Sequence, residues 1–397
     1  MNLMLKTFFA NKNTLTFSIK NISSDNKGVK MKFSCLRQSL CEAISSVSKA
    51  VSQKSTIAAL EGIKIKLSPN QLELTGYDLE IGIRTTIPVV SEDSGEWVVN
   101  SRLFSEFSRR MAGENILFEI DENLQMNISS SNTECSISAM SAEEYPELPV
   151  VDLDKNIEIR QDLLKSMINQ TSYAASTSEN KPVLTGELFE IENGIFRVVA
   201  IDGFRLAIRT ENTDCQDYYH FVVPKKALSE VSGLIKDDSG DKTCFIYTNN
   251  KHIIFDINGF LVISRLLEGE FHNYKNSIPE GYKTEIIANK RDFLTCMERC
   301  SLLLNDKNRA PVKCTFENGE VKISCKTAIG KINDSFKADI SGEAVTIGFN
   351  NKYALEALRA ADGDKIKIQL NGCMKVIKIV PLESESYIFL LMPIQLK

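Results

Sequence analysis

The stretch MKFSCLRQSLCEAISSVSKAVSQ, residues 31–53, puts Leu36, Leu40, Ile44, Val47 and Val51 on one face at helical spacing. A strand-like Phe33 stands seven residues before Leu40. The arrangement recurs twice. Ile157 precedes a face of Leu164, Ile168, Thr171 and Ala175, and Ile286 precedes Phe293, Met297, Cys300 and Leu304. The anchors Leu40, Leu164 and Phe293 are 124 and 129 residues apart. A second helical series interleaves with the first. Val98-Val99 leads into Phe104, Phe107 and Met111, Val222-Val223 into Leu228, Val231 and Ile235, and Ile347 into Ala354, Leu358 and Ala361. Repetition at a long period fixes the architecture before any short motif is considered.

Turn chemistry follows each predicted helix. Pro69-Asn70, Asn193-Gly194 and Asn318-Gly319 follow the first series, and Asp121-Glu122-Asn123, Asn249-Asn250 and Asn371-Gly372 the second. Such pairs between apolar runs signal hairpins. The chain therefore reads as an α+β protein of three repeated domains, each a pair of helices covered by antiparallel sheets. We place the domains at 31–153, 154–283 and 284–397. Residues 1–30 carry five lysines against Asp25 and no unbroken apolar run of signal-peptide length. They read as a disordered leader, or as sequence upstream of a natural start at Met31.

Charge is distributed unevenly. The 397 residues sum to −5, the leader to +4, and the six helical windows hold 15 basic against 7 acidic side chains. Everything outside the leader and the helices is left at −17. One basic helix is ordinarily a solvated face; six of six favour a common surface facing a polyanion, with acidic sheets behind it. Helices packed ~10 Å apart in a ring of six enclose a hole of only ~9 Å, whereas twelve enclose ~28 Å, room for a duplex. If such helices line a ring around DNA, one chain is half of it.

Catalytic chemistry is hard to find. Glycine-rich phosphate loops and HExxH are missing, and three dispersed histidines (His220, His252, His272) support neither a metallohydrolase nor a Ser–His–Asp enzyme. Ten single cysteines without a CxxC read as buried reduced thiols of a cytoplasmic protein. No run reaches the ~18 apolar residues of a membrane span. We expect no enzyme activity, metal or cofactor. Two local features remain. Ala200-Ile201-Asp202-Gly203-Phe204-Arg205-Leu206-Ala207 contains a tight turn that sets Phe204 and Leu206 beside Arg205, and the apolar end Leu390-Leu391-Met392-Pro393-Ile394-Gln395-Leu396 suits an adaptable groove.

From Met31 to Leu396 the chain resembles the bacterial DNA polymerase III beta subunit, the replication sliding clamp. MKF (31–33), LTGYDLE (74–80), AEEYPELP (142–149), NKPVLTGELFE (180–190), AIDGFRLA (200–207), VVPKKAL (222–228), GFNNKY (348–353) and the terminal MPIQL carry the likeness. The resemblance implies a head-to-tail homodimeric ring with helices inside, sliding on duplex DNA without reading its sequence. It further implies tethering of the DNA polymerase III alpha subunit, the clamp loader delta subunit and other clamp-binding-motif proteins, without catalysis. Carried over, the partner groove comprises Leu184, Ile201, Gly203, Phe204, Arg205, Leu206 and His272 from the second domain. Asn350, Tyr353, Leu390, Met392, Pro393 and Ile394 complete it from the third. The implied DNA contacts are Lys54, Arg102, Lys181, Lys225 and Lys226, and the implied dimer seam is Ile137 opposite Leu302 and Leu303. Ile201, His272, Asn276 and Gln395 depart from the residues common at those places, and Lys397 extends the end. A clamp paralogue with altered partner binding and a DNA-binding protein that forms no ring remain alternatives.

Overall fold

The computed structural model describes residues 29–237, 240–304 and 310–396. The leader up to residue 28 therefore lies outside the described residues. The first domain runs β1 (Val29–Leu36), α1 (Arg37–Val47), β2 (Gly62–Ser68), β3 (Gln71–Tyr77), β4 (Ile81–Pro88), β5 (Gly95–Asn100), α2 (Ser101–Arg110), β6 (Asn115–Asp121), β7 (Gln125–Ser130), β8 (Thr133–Ser138). The second repeats that order: β9 (Ile157–Arg160), α3 (Gln161–Thr171), β10 (Gly186–Glu192), β11 (Ile195–Ile201), β12 (Arg205–Asn212), β13 (Tyr219–Pro224), α4 (Lys225–Leu234), β14 (Thr243–Thr248), β15 (His252–Ile257), β16 (Phe260–Arg265). So does the third: β17 (Thr284–Asn289), α5 (Lys290–Ser301), β18 (Val312–Glu317), β19 (Glu320–Lys326), β20 (Lys331–Gly342), β21 (Val345–Phe349), α6 (Asn351–Ala360), β22 (Lys365–Leu370), β23 (Ile377–Val380), β24 (Tyr387–Leu391). Strand β1 starts at Val29, two residues before the expected boundary.

Local chemistry explains the element ends. Asn100 and Asn289 end a strand, Asn350 follows one, and all three open a helix, each side chain accepting a hydrogen bond from the backbone N–H three residues on. Pro224 precedes Lys225 at the start of α4, where its missing N–H costs nothing. Asn70, Asn193 and Asn318 sit at positive φ in two-residue turns, which asparagine tolerates. The predicted faces are buried, with Leu40, Ile44 and Val47, Leu164 and Ile168, and Phe293, Met297 and Cys300 at 1% exposure or less. Leu36 departs from its face: it ends β1 at the helix boundary and is 40% exposed. Ala175 lies beyond α3, past a single 3-10 turn at Ser172–Ala174, yet stays buried.

Each domain contributes two four-stranded half-sheets, and the half-sheets join across domains. Strand β4 pairs with β16, making an eight-stranded sheet from the first and second domains. Strand β12 pairs with β24 in the sheet that links the second and third. Between the sheets the helices make a continuous row, α2 to α1, then α4, α3, α6 and α5. Lys49 Nζ reaches Glu230 at 3.0 Å, linking α1's end to α4, and Gln170 Nε2 donates to Asp362 at 2.6 Å, linking α3 to the end of α6. The strands' apolar faces and the buried helix residues thus meet in cores that run through the domain junctions. Among the described residues no helix is long and apolar enough to cross a membrane.

Candidate partner groove and nucleic-acid face

The groove is built on the β11–β12 hairpin. Asp202 Oδ1 accepts from the backbone N–H groups of Phe204 at 2.9 Å and Arg205 at 3.0 Å, a side-chain-closed turn. Gly203 at φ 90° completes the turn. The result turns Phe204 outward, 61% exposed, while Arg205 and Leu206 turn in. Arg205 Nε donates to Asp202 Oδ2 at 2.9 Å, its Nη1 bonds Glu356 of α6, and the guanidinium lies 4.4 Å over the Tyr353 ring. Phe204 stacks on the same ring with centroids 6.3 Å apart. Third-domain side chains thereby hold a second-domain turn.

The other wall comes from the chain's end. Strand β24 pairs with β12, Leu206 opposite Leu390, and Met392 N–H donates to Phe204 O at 2.8 Å. Leu390 is buried whereas Met392 is 47% exposed. Between these walls is a cavity of about 520 Å3 floored by Val183, Leu206, Phe271 and Leu390, members of one apolar cluster. An apolar floor with a few polar groups at the rim suits a peptide's side chains better than a charged small molecule.

Of the thirteen expected groove residues, nine line this cavity: Leu184, Ile201, Gly203, Phe204, Arg205, Leu206, His272, Leu390 and Met392. The other four are not among the residues that line it. Asn350 caps α6, Tyr353 stacks on Phe204 and under Arg205, and Ile394 N–H donates to Gly348 O just past Pro393. Sequence reasoning missed Val183, Phe271, Asn273, Ser277 and Val376, which come from connecting segments gathered by the sheet. Phe271 beside His272 carried a signal, an aromatic in the connection after β16. Lys181, expected on DNA, is also among the residues that line the groove.

The basic face is less free than its count. Arg110 pairs with Glu106 at 2.7 Å, Arg359 with Glu298 at 2.9 Å, Lys165 with Asp237 at 2.7 Å, and Arg299 with Asp334. Of the expected DNA contacts, Lys54 and Arg102 are exposed. Lys226 is bonded to Asp78 of the first domain, and Lys225 is half-buried at the start of α4. At the expected seam Leu302 is 78% exposed and Leu303 is half-buried. Ile137 corrects the expectation: it is 6% exposed and packs into its own core, because its position on β8 faces inward.

Eight of the ten cysteines have thiols pushed up by burial, the reverse of an activated nucleophile. No cluster of three or more metal-ligating side chains occurs among the described residues.

Three family models match in succession: the N-terminal domain of the DNA polymerase III beta subunit over residues 31–149, its central domain over 158–273 and its C-terminal domain over 275–395. The beta sliding clamp of Bacillus subtilis is 34% identical over 378 residues, covering 92% of this chain and 100% of that protein. That of Staphylococcus aureus is 31% identical over 376 residues, covering 92% and 99%. The crystal structure of the Bacillus subtilis DNA polymerase sliding clamp superposes with a TM-score of 0.89 at 33% identity, covering 93% of this chain and 100% of that one. A putative DNA polymerase III beta subunit from Eubacterium rectale gives 0.87 at 32%, covering 92% and 99%. With every domain matched in order and the whole length of these relatives covered, the chain belongs to the DNA polymerase III beta subunit family, the beta sliding clamps.

Proposed function

We propose that two copies close head to tail into a ring around duplex DNA and hold the replicative polymerase to it. The observation that carries this is a pairing used twice within the chain and left open at its ends. The first junction pairs β4 with β16 and the second β12 with β24. By the repeat, β20 is the third member of the first set and β8 of the second. Among the described residues, Lys331–Lys337 of β20 have one neighbour, β19, and β8 has one neighbour, β7. An unpaired strand edge is a template for another chain. A third junction, β20 on the partner's β8, makes one seam, and its twofold copy closes the ring. Leu302 and Leu303 supply apolar contact beside it, with Ile137 supporting β8 from below. We place the domain limits at residues 153 and 283, in the connections outside these strands.

The helix row faces the hole, with Lys54, Arg102, Lys225 and Lys226 toward phosphates and Lys181 at the groove's rim. Phosphate contacts are independent of sequence and screened by salt, so they hold the ring without fixing its position. The groove takes an extended peptide from the DNA polymerase III alpha subunit, the clamp loader delta subunit and other proteins with the same motif. The ring is non-catalytic and works in the cytoplasm. Retention on nicked circular duplex after loading, before and after linearising the DNA, tests the reading, with mass recorded on the same sample. A dimer that stays on circles and runs off linear ends supports encirclement. Equal retention on both refutes it.

A further inference from the structure

Glu187 is an unusual residue on β10, fully buried and outside both the groove and the seam. It lies against the end of α3, where Thr171 Oγ1 is 2.5 Å from its Oε2 and the Ser172 hydroxyl bonds its Oε1. The Thr171 hydroxyl has one proton and a second acceptor, the Met167 carbonyl at 2.8 Å, the usual partner of a helical threonine. If that proton goes to Met167, the bridging proton at Glu187 must belong to the carboxyl. The C-terminal end of a helix also carries partial negative charge, which disfavours a carboxylate beside it. From the other elements packed there, β13 presents Val223 opposite Glu187, and α4 presents Lys225, whose charge favours ionisation.

We propose that Glu187 is a proton switch between α3 and α4: neutral, it pins the end of α3 to β10 and leaves Lys225 free, and ionised it takes Lys225 as its counter-ion. Burial pushes the carboxyl up to about 7, while Ser172, Thr171 and Lys225 pull the other way, so the switch works near neutrality. Ionisation removes one cation from the helix row. By reciprocity, a phosphate that occupies Lys225 withdraws support from the ionised form, so binding of a polyanion on this face takes up a proton. This coupling rests on the proposed DNA face; the proton on Glu187 does not.

The test has two arms. The 13C-carboxyl resonance of Glu187 in the full-length protein is followed from pH 5.5 to 9, and thermal unfolding is measured over the same range with Glu187→Gln and Glu187→Met. Titration near neutrality is expected. Because the folded value is raised, the stability it confers is fully present below the ordinary glutamate range and lost as pH rises through about 7; both variants should flatten that loss. A carboxyl already ionised at pH 5.5 overturns the proposal. In the second arm, the salt slope of retention on circular duplex should be shallower by about one per subunit at pH 8.5 than at 6.5, and equal at both in the glutamine variant. The same pH dependence in that variant overturns the coupling to Lys225. If no form is retained on circles, the DNA face fails, and the resonance and unfolding data still decide whether Glu187 holds its proton.

Discussion

The β3–β4 and β11–β12 hairpins, 124 residues apart, share one turn and put it to different uses. In each an aspartate carboxyl accepts the N–H groups two and three residues on: Asp78 from Glu80 and Ile81, Asp202 from Phe204 and Arg205. In each the next residue has positive φ, 75° at Leu79 and 90° at Gly203. The aspartate's second oxygen marks the difference. Asp78 gives it to Lys226 of the next domain, whereas Asp202 gives it to its own Arg205. At the first junction the space beyond the turn is also filled: Leu148 packs on Gly82, where an added Cβ would come within 2.5 Å of it, and Tyr145 Oη donates to Thr75 O at 3.2 Å. At the second, Leu206 takes the place of Gly82 and the space is the groove. One junction is a bolted joint; the other is a joint with an open mouth.

The comparison breaks hardest at the chain's end. Removing Met392–Lys397 deletes a groove wall while keeping β24, and should abolish binding of a clamp-binding peptide, measured by fluorescence anisotropy, with dimer mass unchanged. A cut before Leu390 is a poorer test, because Leu390 and Leu391 are buried strand residues whose loss disturbs the sheet itself. Next in size is Arg205→Ala, which strands Asp202 and Glu356 without their buried cation. It should lower stability by about 3 kcal/mol in denaturant unfolding, less than a fully enclosed pair because Glu356 is partly exposed. Phe204→Ala removes the exposed ring at the groove's mouth and should weaken the peptide by about 2 kcal/mol with unfolding unchanged. Lys226→Ala unbolts the first junction and should cost only about 0.5–1 kcal/mol, since half of that lysine is exposed. A larger loss would show that the joint depends on the ion pair more than on its apolar filling. Smallest is Leu79→Gly. It relieves a leucine at positive φ and should stabilise by a few tenths of a kcal/mol once the glycine's backbone entropy is set against the strain.

Helices and hairpins were legible because their signals are local: a 3.6-residue period around Leu40, Leu164 and Phe293, and asparagine turns that need positive φ. The joining of half-sheets was not, since β4 meets β16 across more than 170 residues and nothing in either strand names its neighbour. The groove was half legible. Its turn and tail stand out as motifs, but Val376, Phe271 and Ser277 arrive from connections that only the folded sheet assembles. Charge counting overstated the basic face because Asp237 and Asp334 lie outside the helical windows and neutralise Lys165 and Arg299. Glu187 carried a signal that went unread. In GELFEIE it alternates with Phe189 and Ile191, placing a carboxyl in a row of core residues.

The open edges at β8 and β20 set a condition on angle as well as on affinity. A head-to-tail contact closes only when its rotations add up to a full turn; otherwise it grows into a helical filament. Three domains with two like junctions must therefore each turn the path by close to one sixth of a circle. Small distortions accumulate, so a substitution that skews the filled first junction by a few degrees would appear far away, as a gapped lock-washer or as longer oligomers. Mass distribution, more than melting temperature, is where such damage would be seen.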